Sequence, residues 1–176
     1  MQDRNTLENF EFRTIVEREG AQAAAIEQVC FLPREACDEK SMVERVAAAP
    51  ELFLVAIDKK TGLITGFLNG IATDEDRFRD EFFTDAALHH AAGKNIMLLG
   101  LDVLPDYRHL GLAKALTEKY LQKERERGRE KVFLTCAASK VKMYEKFGFV
   151  DLGISDSAWG GEVWHEMCCD LGNIFD

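Results

Sequence analysis

The sequence predicts an α/β domain built on a mixed β-sheet. Residues 96–137 contain an apolar strand, a glycine loop, a long helix and a second strand, and this β-α-β order favours two parallel strands. Residues 52–72 contain two apolar runs around a turn, which is typical of an antiparallel hairpin. At 176 residues with 47% hydrophobic content, the chain is long enough to bury one full core. We therefore expect a single domain over residues 1–176.

The first part of the chain predicts one strand and two helices. Residues 10–16 alternate between apolar and polar side chains, as a half-buried strand does. An Ala-rich helix is expected over residues 21–31. A second helix should begin with Ser41 as its N-cap, because Glu44 three residues later completes a capping box, and it should end before Pro50.

The hairpin and an acidic segment come next. A strand is expected over residues 52–57, and a returning strand over residues 63–72. The turn between them, residues 58–62, reads DKKTG and ends in the glycine that tight turns favour. The acidic segment 74–80 then leads to a short helix near residues 81–89.

The stretch 96–114, IMLLGLDVLPDYRHLGLAK, organises the rest of the chain. Its apolar first half predicts a strand buried on both faces that stops at Pro105. A loop containing Gly111 follows, and then a helix over residues 112–127 that Gly128 ends. A helix N-terminus after a glycine loop can hold a phosphate, because its first N–H groups have no intrahelical partner. The Walker A and dinucleotide fingerprints are absent, and an ordinary strand–helix connection is the alternative.

Four elements complete the predicted sheet and its helices. Residues 131–137 form the second strand of the β-α-β unit. Ser139 is expected to cap a final helix that ends at Phe147. A short strand over residues 149–152 and a last strand over residues 162–171 follow.

Composition argues against several classes of partner and location. The net charge of −9 at pH 7 is unfavourable for binding nucleic acid or anionic membranes. No apolar run approaches the ~18 residues that span a bilayer, and no charged-then-apolar leader starts at Met1. The five cysteines show neither a CxxC pair nor zinc-ligand spacing, so we expect reduced thiols, a cytoplasmic protein and no metal.

Two motifs carry a resemblance to a known superfamily. Residues 108–113, RHLGLA, follow [R/Q]-x-x-G-x-[G/A] after the strand end LDVLPDY, and residues 144–149, YEKFGF, follow Y-x-x-x-G-F. Together they resemble the GCN5-related N-acetyltransferase (GNAT) superfamily. Further matches between residues 10 and 171 resemble its serotonin (arylalkylamine) N-acetyltransferase branch: Pro50-Glu51-Leu52, Asp74-Glu75-Asp76-Arg77, Leu101-Asp102-Val103, Cys136 and Glu166-Met167.

The resemblance implies a six-to-seven-stranded, mostly antiparallel sheet that is flanked by helices and splayed at its central strand pair. It also implies acetyl-CoA as cosubstrate. The backbone of Leu101 and Val103, with Asp102 between them, would lie along the pantetheine arm. Arg108 would anchor the loop or steer the anion, and an ordinary surface charge is the alternative. The pyrophosphate would lie on the loop and the first helical turn, formed by His109, Leu110, Gly111, Leu112, Ala113 and Lys114.

The resemblance further assigns catalytic roles. Tyr144 would lie near the cofactor sulfur and donate a proton to the leaving thiolate. The backbone N–H of Leu101 is the expected oxyanion donor. Met97 and Leu99 replace the branch's two strand histidines and cannot accept a proton, so the general base stays open. Strand alternation points Asp102 away from both of them. The candidate bases are Asp102, Asp74, Glu75, His165 and Glu166.

The expected reaction is acetyl transfer to a primary amine by direct attack in a ternary complex. The apolar side chains of Met97 and Leu99 favour a small hydrophobic or arylalkyl amine, with acidic groups receiving the ammonium. A protein or peptide N-acetyltransferase and a non-catalytic acyl-CoA-binding sensor are the alternatives. A monomer and a homodimer both stay open, because the last strand could pair between subunits.

Overall fold

A seven-stranded mixed sheet forms the centre of the molecule. The computed structural model describes residues 4–172. Residues 1–3 and 173–176, the ends of the predicted domain, lie outside this range, and so does the expectation about a leader at Met1. The strands of the sheet are β1 (Phe10–Thr14), β2 (Phe53–Asp58), β3 (Ile64–Thr73), β4 (Asn95–Val103), β5 (Lys131–Cys136), β6 (Val150–Ile154) and β7 (His165–Asp170). In space they follow the order β1-β2-β3-β4-β5-β7-β6.

Helices cover both faces of this sheet. The apolar sides of α2 and α3 pack on one face around Met42, Phe53 and Phe67, and α5 packs on the other through Leu112 and Leu116. Within residues 4–172, no helix is long and apolar enough to cross a membrane. The helices are α1 (Arg4–Leu7), α2 (Gly20–Cys30), α3 (Glu39–Ala48), α4 (Glu81–Thr84), α5 (Leu112–Glu126) and α6 (Val141–Lys146).

The central strands β4 and β5 are parallel, as the β-α-β pattern predicts, but they pair only at their beginnings. Their register runs from Asn95 opposite Lys131 to Met97 opposite Phe133. Beyond those residues the two strands no longer pair with each other, although β4 stays paired with β3 and β5 with β7. Every other neighbouring pair is antiparallel. The expected mixed, mostly antiparallel sheet with a central splay is therefore confirmed.

A β-bulge in β4 changes which of its side chains share a face. Asn69 of β3 lies opposite Gly100, but the next residue, Gly70, lies opposite Leu98, so Leu99 is an extra residue. Cross-strand partners point to the same face of a sheet. Met97 therefore lies on the face of Gly100 and Asp102, and simple alternation was wrong in separating Met97 from Asp102.

Two predicted helix caps were wrong. Asp38, not Ser41, is the N-cap of α3, and its carboxylate accepts the backbone N–H of Ser41 at 2.7 Å. An aspartate at the N-cap accepts a free amide of the first helical turn, as a capping serine would. Ser139 caps no helix, because residues 138–140 form a separate 3-10 turn before α6 begins. The last strand is shorter than expected, with β7 starting at His165.

Candidate active site

The splay between β4 and β5 opens a cleft of about 870 Å³. Its two walls are formed by different parts of the chain. One wall is formed by the end of β4, the loop before α5, the end of β5 and α6, and we call it the cofactor wall. The opposite wall, here the acceptor wall, is formed by α2, the loop after it, α3, Phe83 and the loop between β6 and β7.

The loop before α5 presents backbone amides to the cofactor wall. Gly111 has a φ of 89° and His109 a φ of 64°, so the chain turns through left-handed conformations just before the helix. The first hydrogen bond into the helix runs from the Ala115 amide to the Gly111 carbonyl at 3.0 Å. The amides of the preceding first turn are therefore available to an anion. The predicted loop residues that line the cleft are His109, Gly111, Leu112, Ala113 and Lys114.

The other predicted cofactor residues of β4 and the loop differ in their placement. Leu110 packs against the core and does not line the cleft. Arg108 lines it and donates its Nε–H to the Val103 carbonyl at 2.9 Å, which ties the loop to the end of β4. The Cys30 thiol approaches the same carbonyl at 3.4 Å. Leu101 and Val103 line the cleft, but Asp102 does not.

Tyr144 lies on α6 and lines the cofactor wall beside Cys136. Its ring meets Phe147 and Phe149 edge to face, with centroids 6.1 and 5.7 Å apart. Burial raises the pKa of the Tyr144 hydroxyl far above its ordinary value, and the nearby Cys136 and Asp102 raise it further. The hydroxyl therefore keeps its proton at neutral pH and can act as a donor.

Aromatic side chains form much of the acceptor wall. Trp159 stacks on Phe83 with ring centroids 4.6 Å apart, and Phe31 and Trp164 also face the cleft. The Trp159 indole donates to the Glu35 carbonyl at 2.8 Å, and the Trp164 indole donates to the Trp159 carbonyl at the same distance. Both indoles are thereby held in place, so this wall is a preformed apolar surface.

A buried polar cluster lies behind these rings. Arg45 of α3 is 3% exposed and donates to the Asn69 amide oxygen at 3.0 Å and to the Phe83 carbonyl at 2.8 Å. Glu27 of α2 is 4% exposed, and its Oε2 accepts the Cys37 amide at 2.6 Å. Glu27 and Arg45 both line the cleft.

Asp102 completes the polar cluster from the β4 side. It is 1% exposed, and neither of its carboxylate oxygens has a hydrogen-bond partner among the described residues. Burial raises the pKa of Asp102 well above its usual range, the charge of Glu27 adds to this, and Arg45 and Arg108 oppose it. Burial likewise raises the pKa of Glu27, although Arg45 and the Cys37 amide favour its charged form.

The remaining predicted base candidates lie away from the cleft. Asp74 faces His90 at 3.3 Å, and Glu75 pairs with Arg79 at 2.7 Å. The carboxylate of Glu166 accepts the Phe78 amide at 2.9 Å. His165 faces Asp151 at 3.1 Å. None of the four predicted candidates lines the cleft.

Sequence reasoning missed two charged residues that reach the cleft from α2 and α3. Glu27 interrupts the apolar stripe of α2 formed by Ala23 and Cys30, and Arg45 interrupts that of α3 between Met42 and Ala49. A lone charge on the buried stripe of an amphipathic helix is a recognisable signal, because burying it requires a partner or a function. Within residues 4–172, no cluster of three or more His, Cys, Asp or Glu side chains could hold a metal ion.

Comparison with known proteins gives the family. Residues 20–149 match the acetyltransferase (GNAT) family. This chain belongs to that family. Serotonin N-acetyltransferase of Mesocricetus auratus is 27% identical over 174 residues, which cover 97% of this chain and 82% of that protein. The predicted superfamily and its serotonin N-acetyltransferase-like relatives are thus confirmed, and so is the prediction of an N-acetyltransferase that uses acetyl-CoA.

Solved structures share the GNAT fold. The loading GNATL domain of CurA from Lyngbya majuscula superposes with a TM-score of 0.77 at 16% identity, covering 93% of this chain and 98% of that one. The GphF GNAT-like decarboxylase, solved with isobutyryl-CoA, gives a TM-score of 0.75 at 19% identity, covering 92% of this chain and 99% of that one. At these identities the similarity concerns the fold.

Proposed function

We propose that this GNAT protein transfers the acetyl group of acetyl-CoA to a primary amine with a hydrophobic or arylalkyl body, by direct attack in a ternary complex. One observation carries the proposal. A single cleft connects the amide-lined loop before α5 with an aromatic and carboxylate-bearing wall, and the splayed strands lie between them. Donor and acceptor could therefore meet at the splay, where β4 no longer pairs with β5.

The cofactor wall fits acetyl-CoA. The first-turn amides around Gly111 would hold the pyrophosphate, and the Arg108–Val103 contact holds that loop at the end of β4. The backbone of Leu101 and Val103 would then lie beside the pantetheine arm, like an added strand. In this placement the thioester reaches the part of the cleft that Tyr144 lines.

Acetyl transfer needs an oxyanion donor and an acid for the leaving thiolate. The N–H of Leu101 lies on the splayed strand and is our assignment for the first role. Tyr144 is our assignment for the second, because burial and its neighbours keep its hydroxyl protonated. A thiol has an ordinary pKa of about 8.5, so a positioned acid helps the sulfur to leave.

The acceptor wall suits a small amine with an apolar tail. Phe31, Phe83, Trp159 and Trp164 offer ring faces to an aryl or aliphatic group, and Glu27 offers a carboxylate to an ammonium. Hydrophobic and aromatic walls with a few placed polar groups are typical of small-molecule sites.

Contacts across the acceptor wall favour a small amine over a protein substrate. Arg34 forms an ion pair with Glu162, and the Trp159 indole binds the Glu35 carbonyl. Both contacts join the loop after α2 to the loop between β6 and β7. They narrow the groove that a peptide would need.

The test is thiol release from acetyl-CoA with a panel of arylalkylamines, polyamines, amino acids and a lysine peptide. We expect release with arylalkylamines above all other classes, together with thermal stabilisation by acetyl-CoA alone. Release with the lysine peptide alone would overturn the small-amine assignment. Stabilisation without release from any amine would favour the non-catalytic sensor.

A further inference from the structure

Two carboxylates meet at the splayed end of β4: Glu27 comes from α2 in the acceptor wall, and Asp102 belongs to β4 itself. Glu27 lines the cleft, whereas Asp102 lies behind it. Gly100 separates them. A Cβ atom at Gly100 would lie 3.0 Å from Glu27 Oε1 and 3.1 Å from Asp102 Oδ1. Both carboxylates therefore converge on one glycine of the strand that borders the reaction space.

Glu27 and Asp102 differ in the hydrogen bonds that they accept. Glu27 Oε2 accepts the Cys37 amide, which leaves Oε1 directed toward Gly100 and Asp102. Both oxygens of Asp102 are buried and lack a hydrogen-bond partner among the described residues. A buried carboxylate without donors is costly in its charged form. Two buried carboxylates that face the same glycine favour the protonated form of one of them, because like charges close together disfavour ionisation of both.

We propose that Glu27 takes the proton from the acceptor ammonium and that Asp102 is a positioning residue that strengthens the hold of Glu27 on that proton. The inference rests on the proposed function, since it concerns the same cleft and the same amine. It also replaces Asp102 as the candidate base, because Asp102 is 1% exposed and does not line the cleft.

The proton balance is complete without any further reactant. The ammonium transfers one proton to the Glu27 carboxylate, and the neutral amine forms a C–N bond with the thioester carbon. The C–S bond then breaks as the Tyr144 hydroxyl gives its proton to the sulfur. The second proton lost by the nitrogen restores the Tyr144 hydroxyl through solvent. Glu27 releases its proton to solvent, so the products are the amide, the CoA thiol and one proton.

Several charged and titratable groups lie near this pair of carboxylates. Arg45 of α3 favours the charged form of both, and Arg108 of the loop before α5 favours that of Asp102. Cys30 of α2 and Tyr144 of α6 both have their pKa raised in part by the charge of Asp102. The thiol of Cys37 contacts Arg45 at 3.5 Å, and burial raises the pKa of Cys37 to about 11. Of the two carboxylates, Glu27 is the one that lines the cleft and can therefore exchange a proton with an amine.

The decisive variant is Glu27→Gln, which keeps an oxygen for the Cys37 amide but cannot accept a proton. We expect kcat with the best arylalkylamine to fall by about 100-fold or more, as for loss of a general base, with the acetyl-CoA Kd unchanged. The acidic limb of the pH profile of kcat/KM, that is, its fall at low pH, should disappear. The matched control is Glu44→Gln on α3, whose carboxylate is solvent-exposed and pairs with Lys40. It should keep both kcat and the profile.

The positioning role of Asp102 has its own readout. Asp102→Asn removes the negative neighbour, so Glu27 should lose its proton more easily and the acidic limb should move to lower pH. Titration of ¹³C-labelled carboxyl carbons in the wild-type protein should show Glu27 ionising above the ordinary glutamate range. The same titration in Asp102→Asn should show a lower value. Glu27→Asp keeps a carboxyl group, so it should recover part of the kcat that Glu27→Gln loses. It should also recover part of the acidic limb of the pH profile.

The outcomes separate this inference from the proposed function. Wild-type turnover with an unchanged profile in Glu27→Gln would overturn the role of Glu27 alone. A Glu27 signal that titrates in the ordinary glutamate range in the wild-type protein would overturn the role of Asp102, even if the Asp102→Asn variant fails to fold. A wild-type protein that binds acetyl-CoA but acetylates no amine would overturn both the inference and the proposed function.

Discussion

The two walls of the cleft are made by different means. The cofactor wall presents mainly backbone, with amides at the start of α5 and left-handed turns at His109 and Gly111. The acceptor wall presents side chains, with a buried charged cluster around Arg45 behind stacked aromatic rings. Backbone amides can bind a phosphate whatever side chains they carry, whereas side-chain walls are specific to their sequence. We therefore expect the cofactor wall to be common to the family and the acceptor wall to select the substrate.

The largest expected effect tests the side-chain wall. Arg45→Met removes the only cation that hydrogen-bonds inside the described polar cluster and leaves two buried carboxylates without it. Breaking one partner of a buried charged cluster costs about 3–5 kcal/mol, so we expect that loss in the free energy of unfolding by denaturant titration. Arg13→Met removes a half-exposed pair with Glu19 and should cost about 0–1 kcal/mol. Equal losses in the two variants would show that the buried cluster contributes no more to stability than a half-exposed ion pair.

The next effect tests the backbone wall. Gly111→Val places a β-branched residue at a φ of 89°, which distorts the loop that presents the amides. We expect acetyl-CoA affinity, measured by calorimetry, to fall about 100-fold, which corresponds to about 2.7 kcal/mol. Gly128→Val is the control, because Gly128 has a φ of 85° at the other end of α5. It should lower stability and keep the affinity; retained affinity in Gly111→Val would refute the placement of the phosphate.

A smaller effect concerns the side chain that the cofactor wall does use. Tyr144→Phe should lower kcat by about 10- to 100-fold, as expected for loss of a general acid, while acetyl-CoA affinity stays within about twofold. Steady-state kinetics and calorimetry would measure the two quantities. Tyr107→Phe removes a hydroxyl that donates to Asp58 at 2.9 Å and should leave kcat unchanged. Unchanged turnover in Tyr144→Phe would remove its role as the acid.

The smallest effect is a pH dependence of stability. Folding raises the pKa of both Glu27 and Asp102, so the folded state binds more protons than the unfolded chain above the ordinary carboxyl range. Stability should therefore fall as pH rises from that range through the folded values, by at most about 1.4 kcal/mol per pH unit for each group. Asp102→Asn should flatten this slope in urea titrations. A slope equal to that of the wild type would indicate that Asp102 is neutral in both states or charged in both.

Sequence reasoning was most successful where structure is local. The strand and helix around Gly111 were predicted to within one residue, because apolar periodicity and glycine breakers act over short distances. The Y-x-x-x-G-F motif likewise indicated a site position for Tyr144, and this residue lines the cleft. Errors arose where alternatives compete locally, as when Asp38 rather than Ser41 capped α3.

Sequence patterns alone predicted the fold class, the parallel strand pair and the glycine loop before α5, since periodicity and turn residues act between neighbouring elements. The acceptor wall required the folded structure. Glu27, Arg45 and Trp159 lie far apart in the chain, and the packing of α2, α3 and the loop between β6 and β7 brings them to one cleft. A lone charge on a buried helix stripe marks Glu27 and Arg45 in the sequence, but no local pattern identifies their partners, because those lie on other elements.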